Sequence, residues 1–158
     1  MGEGTFSREF EVFGGDFYNA GRVSTEIKEI LRQIGIGAAT VRRAAIAVYE
    51  SEMNVVMYAR HGKVGLEVTS DLIRLRVKDE GPGIEDIELA MQEGYSTATE
   101  EMREMGFGAG MGLPNIQKNS DRFVIRSEVG AGTELEIEVK VDRLATCQKQ
   151  RGTISDER

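Results

Sequence analysis

The sequence predicts an α+β fold, a two-layer sandwich in which helices cover one face of a mixed, mainly antiparallel sheet. Two observations lead to this prediction. The order of apolar patterns along the chain is strand, helix, helix, two strands, a glycine-rich stretch, a short helix and two strands, which segregates helices from an antiparallel sheet. The 158 residues, of which 40% are hydrophobic, are enough for one domain with one core.

The first predicted elements are an edge strand and a helix. Residues 5–13 alternate loosely between apolar and polar side chains, which indicates a strand with one buried face. Residues 17–34 are predicted to be helical, with Asp16 as the cap and Gly35 as the stop. The apolar positions of this helix recur at helical spacing: Val23, Ile27, Ile30, Leu31 and Ile34.

A second helix is predicted from Val41 to about Arg60, and Thr40 is its expected cap. Its apolar residues mark one buried stripe: Val41, Ala44, Ala45, Val48, Val55 and Ala59. The pair His61-Gly62 is expected to end this helix, with His61 near the helix cap.

The rest of the chain, from residue 64 onward, predicts four strands and one short helix. The strands comprise residues 64–68, 72–77, 123–129 and 133–141. The first two strands form an antiparallel hairpin at Ser70-Asp71, and the last two close around a turn at residues 130–132. The short helix is expected at residues 113–119.

We expect one domain over residues 1–143 and a flexible, polar tail over residues 144–158. Glycines are dense between Gly81 and Gly112, and the segment from Ser96 to Arg103 has few apolar residues. This part of the chain is therefore predicted to form a mobile lid at about residues 94–109.

Composition restricts the classes of function. The net charge of −7 gives no basic field for non-specific binding of nucleic acid, so a protein partner or a small ligand is expected. The single cysteine, Cys147, excludes an internal disulfide framework and a cysteine metal cluster. The chain shows no apolar stretch typical of a signal peptide or a membrane span, and we expect a cytoplasmic protein.

Glu50 and Asn54 lie one turn apart on the second predicted helix, so their side chains project from the same face. A carboxylate there can accept the proton of an attacking hydroxyl, and an amide oxygen suits Mg²⁺. The alternative is a solvated helix surface, which is where most polar helix residues lie.

Asp79 ends an apolar strand and is followed closely by Gly81 and Gly83. A carboxylate at a strand end can accept a hydrogen bond from the exocyclic amine of adenine, and the glycines let the backbone approach a flat ring. A tight turn explains this segment equally well, because Gly-Pro-Gly is turn chemistry.

Glycines alternate at Gly106, Gly108, Gly110 and Gly112, directly before the short predicted helix. Successive N–H groups without side-chain obstruction, followed by a helix start, can cradle phosphates. The pattern is neither a Walker loop nor a Rossmann fingerprint. Thr133, which follows Gly130-Ala131-Gly132, offers a hydroxyl beneath a base, although a hairpin turn explains this segment as well.

Taken together in this order, the four segments resemble the Bergerat ATP-binding fold of gyrase, histidine-kinase, chaperone and mismatch-repair ATPases. The resemblance runs from about Arg8 to Val141. It is strongest to the bacterial anti-sigma serine/threonine kinases and stress-signalling switch kinases. The segments that support it are residues 47–54, 79–84, 94–97 and 127–133.

The resemblance implies a role for each candidate residue. Glu50 would be the general base, Asn54 would bind Mg²⁺, and Asp79 would bind the adenine amine of ATP. The other implied nucleotide contacts are Gly81 and Gly83 in the base pocket, Gly108, Gly110 and Gly112 around the triphosphate, and Thr133 near adenine.

The implied function is transfer of the ATP γ-phosphate to a serine or threonine of a STAS-type antagonist protein. A sigma factor and a second copy of the chain are further partners consistent with the resemblance. Two alternatives remain: an ATP-dependent anti-sigma binding module without efficient transfer, and a histidine-kinase-like ATPase domain. Against the latter, the only histidine is His61 and no helical segment is predicted ahead of the core.

Overall fold

The computed structural model describes residues 4–106 and 108–142. The strands are β1 (Phe6–Phe13), β2 (His61–Val68), β3 (Leu72–Asp79), β4 (Arg122–Glu128) and β5 (Gly132–Lys140). The helices are α1 (Arg22–Ile34), α2 (Ala38–Tyr58), α3 (Ile87–Ala90), α4 (Glu100–Glu104) and α5 (Gly112–Lys118). The predicted tail lies outside the described residues, as does Cys147.

The α+β class is confirmed, with the strands joined in the order β1-β2-β3-β5-β4. A mixed sheet was expected, but every pairing of the described strands is antiparallel. For β1 and β2, the reason lies in the connection between the two strands. Phe13 pairs with His61, and the Gly14 amide donates to the Arg60 carbonyl at 2.9 Å. Helices α1 and α2 thus return the chain to the end of the sheet that it left, and β2 runs back along β1.

The core lies between the sheet and the helices, and α2 is its central element. This helix contacts α1, α5 and the four strands β1, β2, β3 and β5. Its small side chains Ala44 and Ala47 are fully buried and let the neighbouring elements approach closely. Strand residues that alternate along the chain, such as Ile73, Leu75 and Val77, form the opposite wall.

The outer face of the sheet carries charged side chains instead of a second helical layer. Glu136 accepts hydrogen bonds from Arg76 at 2.8 Å and from Arg126 at 3.1 Å, and these bonds lower the pKa of its carboxyl group. Such exposed pairs contribute little to stability, but they keep this face polar. In the described part of the chain, none of the helices has the length and apolar character of a transmembrane segment.

The expected starts of the first two helices are wrong. Asp16 accepts a hydrogen bond from the Asn19 side chain at 3.0 Å, so it caps a turn, and α1 begins only at Arg22. The side chain of Glu52, on α2, caps the start of α1 instead. Its Oε2 atom accepts from the amides of Gly21 (3.1 Å) and Val23 (3.2 Å), and its Oε1 atom accepts from the Ser24 amide (3.0 Å).

Helix α2 also differs from its expected bounds. It begins at Ala38 after Gly37, so that Thr40 lies buried inside the first turn instead of capping it. His61 and Gly62 belong to β2 and do not end the helix, because both pair with neighbouring strands. The His61 ring packs against Phe13 with their ring centroids 5.3 Å apart.

The segment predicted as a lid contains a short helix, α4, which is capped by the Thr99 hydroxyl. Most of its described side chains are exposed or half-buried, as the sequence predicts, but Ala98 is buried. Phe107 lies outside the described residues. The mobility of the segment stays a prediction.

Candidate functional site

A cavity of about 1200 Å³ opens between α2, the ends of β3 and β5, and the glycine-rich segment. All of the predicted site residues except Gly81 line it. These residues are Glu50, Asn54, Asp79, Gly83, Gly108, Gly110, Gly112 and Thr133. The fold thus brings together residues that are more than eighty positions apart in the chain.

Glu50 and Asn54 form the helical wall of this cavity, and both side chains are half-buried. The Asn115 side-chain amide on α5 donates to Glu50 Oε1 at 3.3 Å. Gly112 passes directly over the two side chains. A Cβ atom on Gly112 would lie 3.4 Å from both Glu50 Oε2 and Asn54 Oδ1. The missing side chain therefore keeps the space beside these two oxygens open.

The backbone of the glycine run passes so close to its neighbours that two of its positions, Gly108 and Gly110, have no room for a side chain. Gly110 has φ +76°, and a Cβ atom there would lie 2.4 Å from the Gly94 carbonyl carbon. Gly94 in turn donates its amide to the Gly110 carbonyl at 2.9 Å, which ties the lid segment to the glycine run. At Gly108, with φ +85°, a Cβ atom would lie 2.2 Å from the Ala98 side chain. Alanine at either position would force the backbone to move.

Asp79 lies at the opposite end of the cavity, on the last residue of β3. Its Oδ1 atom accepts a hydrogen bond from the Thr133 amide at 3.1 Å, and its carboxylate also accepts one from the Gly81 amide. Burial raises the pKa of Asp79 above its usual 3.8, and the two amide bonds oppose that rise. Gly81 thus donates its amide to the Asp79 carboxylate and does not line the cavity.

Two hydroxyl groups form a polar floor beside Asp79. Thr133 Oγ1 and Ser127 Oγ lie 2.8 Å apart, and Ser127 Oγ also accepts from the Ile84 amide at 2.7 Å. The pair connects β4 and β5 with the loop that follows β3. The hydroxyl of Thr133 therefore belongs to a polar network, as the sequence allowed.

Sequence reasoning did not assign Asn115 or Ser127 to the site. No motif identifies Asn115, which faces Glu50 only because α5 packs against α2. Ser127 could have been found, since it lies in the segment that carries the resemblance and pairs with Thr133 across the last two strands.

Comparisons with known proteins agree with this geometry. Residues 17–139 match the protein family described as the histidine kinase-like ATPase domain. The serine/threonine-protein kinase RsbT of Bacillus subtilis is 31% identical over 113 residues, which cover 69% of this chain and 79% of that protein. The anti-sigma F factor of Caldanaerobacter subterraneus is 37% identical over 92 residues. That match covers 55% of this chain and 61% of the anti-sigma factor.

A solved structure shows the same fold. The crystal structure of the RsbU and RsbW domains of a Mycobacterium tuberculosis protein superimposes with a TM-score of 0.56 over 86% of this chain. The match covers 33% of the mycobacterial chain, at 16% sequence identity.

Proposed function

The chain belongs to the histidine kinase-like ATPase domain family, and we propose that it is a serine/threonine protein kinase and anti-sigma regulatory factor of a partner-switching system. The names of its relatives, a serine/threonine kinase and several anti-sigma F factors, support this function. The observation that carries the proposal is the pairing of Glu50 with Asn54 on one wall of a cavity that a glycine run keeps open.

The residues fit ATP at both ends of the cavity. Asp79 offers a carboxylate to the adenine amine, and the glycine run borders the space where the phosphates would lie. The described residues contain no cluster of three or more His, Cys, Asp or Glu side chains that would hold a metal by itself. Mg²⁺ is usually bound by one or two protein oxygens together with substrate phosphates, and the Asn54 amide oxygen suits this arrangement. The metal would neutralise phosphate charge during transfer.

In the proposed reaction, Glu50 accepts the proton of a serine or threonine hydroxyl on the partner. The hydroxyl oxygen forms a bond to the γ-phosphorus, the bond from that phosphorus to the β–γ bridging oxygen breaks, and ADP leaves. The amide of Asn115 holds one carboxylate oxygen of Glu50, so that the other oxygen, next to Gly112, faces the reacting groups.

The acceptor in this proposal is a STAS-type antagonist protein, and a sigma factor is a second partner. A cytoplasmic location follows from these partners. The test incubates the full chain with γ-labelled ATP, Mg²⁺ and purified STAS proteins from the same source. Label on a serine or threonine of one of these proteins is the expected result. ATP-dependent capture of a partner without transfer of label would favour the binding module over the kinase.

Replacing Gly112 with alanine should weaken binding of ATP in the presence of Mg²⁺ by about tenfold, or about 1.4 kcal/mol. The new methyl group would occupy the space 3.4 Å from the Glu50 and Asn54 oxygens. Gly112 does not have a positive φ, so the variant should fold. Isothermal titration calorimetry with and without Mg²⁺ measures the effect. Gly37→Ala is the control, since nothing lies within 4 Å of a Cβ atom there; equal affinities for both variants would contradict the assignment.

Asp79→Asn should weaken ATP binding by about tenfold, because a hydrogen bond to a charged acceptor is replaced by one to a neutral amide. The ratio of wild-type to variant affinity should fall on acidification, since the wild-type carboxyl becomes protonated. This loss should begin above the usual aspartate range, because burial raises the pKa of Asp79. Titrations at several pH values measure both effects, with Asp16→Asn as the control, since Asp16 does not line the cavity. A ratio that does not change with pH would contradict the assigned contact.

A further inference from the structure

A second groove, of about 540 Å³, runs between α1 and α2. Tyr49 and Glu50 line both this groove and the cavity described above. One end of the groove therefore opens at the carboxylate that is proposed to accept the proton. Any chain segment lying in the groove would reach the site from the side opposite to the base-binding end.

The groove is basic although the chain as a whole is acidic. Three cationic side chains line it, Lys28 and Arg32 from α1 and Arg42 from α2, and all three are exposed. In the described part of the chain, no acidic side chain forms an ion pair with any of them. Glu50 is the one acidic residue among the described groove residues. In a chain with a net charge of −7, this is a local excess of positive charge.

The positions of the cations give the groove a direction. The start of α1 lies against Glu52, in the second half of α2, so the two helices run antiparallel. Lys28 and Arg32 are one turn apart on α1. Arg42 precedes Glu50 by two turns on α2, which is about 12 Å along the helix axis. The cations thus line the approach to Glu50 from the end where the two helices are connected.

We propose that this groove binds an acidic segment of the acceptor protein and delivers its serine or threonine to Glu50. An extended segment advances about 3.3 Å per residue, so a distance of about 12 Å corresponds to about four residues. The carboxylates that contact Arg32 and Arg42 should therefore lie about four residues from the phosphorylated hydroxyl. The inference rests on the proposed kinase function, since it names the surface by which that kinase recognises its acceptor.

The test compares two double variants that remove the same amount of charge. Arg32→Gln/Arg42→Gln changes the groove, whereas Lys78→Gln/Lys140→Gln changes exposed lysines on the outer face of the sheet. Phosphate transfer to purified STAS proteins from the same source is measured at increasing acceptor concentration. The groove variant should raise the acceptor KM about tenfold, as two lost exposed charge pairs predict. Its kcat and its KM for ATP should stay within about twofold of the wild type.

Added salt distinguishes an electrostatic contact from a packing defect. The wild-type acceptor KM should rise with NaCl concentration, and that of the groove variant should rise less, because screening acts on charges that the variant lacks. The lysine variant should behave as the wild type does. An acceptor KM that is the same in both double variants would overturn the proposal.

A second measurement does not depend on phosphate transfer. The ¹⁵N-labelled full chain is titrated with a synthetic serine peptide rich in glutamate, and amide chemical shifts are followed. Saturable shifts at residues 24–32 and 38–50 are expected in the wild type and the lysine variant, but not in the groove variant. Chemical-shift changes located elsewhere would contradict the assignment of the groove as the binding site. If these shifts appear and no STAS protein takes label, the proposed function fails and the groove stands as a site for acidic segments.

Discussion

Replacing Glu50 with glutamine should reduce phosphate transfer by about 10²–10⁴-fold, the usual contribution of a general base. Glutamine has nearly the shape of glutamate and can still accept the Asn115 amide bond through its oxygen, but it cannot take the proton of the acceptor hydroxyl. Affinity for ATP should stay close to that of the wild type, because the base end of the cavity is formed by Asp79 and the hydroxyls beside it.

Two measurements on the same preparation separate these effects. Transfer of label to the acceptor gives the rate, and calorimetric titration with ATP and Mg²⁺ gives the affinity. Glu29→Gln is the matched control, since Glu29 is an exposed carboxylate of α1 that bonds only to Gln33 among the described side chains. Transfer at the wild-type rate by the Glu50 variant would show that another group accepts the proton.

The elements of the fold that repeat a pattern along the chain were predictable from the sequence. Strands β2 and β3 and most of β5 bury every second side chain, and all four strands from β2 to β5 lie within a few residues of the predicted bounds. The cavity was predictable for a related reason. Asp79 ends a strand, the glycine run precedes a helix, and Glu50 and Asn54 share a helix face, so each local pattern already fixes the direction of its groups.

The features that sequence reasoning missed depend on contacts between distant segments. Asp16 has the chemistry of a helix cap, but the cap of α1 comes from Glu52, about thirty residues further along the chain. Asn115 reaches Glu50 across 65 positions. The antiparallel pairing of β1 with β2 follows from α1 and α2 returning the chain to the end of the sheet that it left. No local pattern encodes any of these three arrangements.

The groove between α1 and α2 belongs to the same class of feature. Its cations are spread over two helices, and each of them alone resembles an ordinary solvated side chain. Only the antiparallel packing of the helices places them along one path to Glu50. The sequence therefore predicts a position for the nucleotide but none for a protein acceptor.

Glu52→Gln should behave in the opposite way to Glu50→Gln, with a loss of about 3 kcal/mol in the free energy of unfolding and little change in the chemistry of the folded protein. The Glu52 side chain is buried and accepts hydrogen bonds from three backbone amides at the start of α1. A glutamine can place its oxygen toward Gly21 and Val23, but its NH₂ group then faces the Ser24 amide. Two buried donors would point at each other, and one would stay without an acceptor.

The two glutamates are each other's best control, because they lie two residues apart on α2 and receive the same substitution. Two residues rotate a side chain by roughly 200° about the helix axis, so that Glu50 faces the cavity while Glu52 faces α1. Urea unfolding followed by circular dichroism should show a lower midpoint for Glu52→Gln and an unchanged one for Glu50→Gln. The rate of phosphate transfer per folded molecule should be low for Glu50→Gln and close to that of the wild type for Glu52→Gln. If Glu52→Gln unfolded at the wild-type midpoint, the buried carboxylate would not be what fixes the start of α1, and the position of Lys28 and Arg32 beside α2 would need another cause.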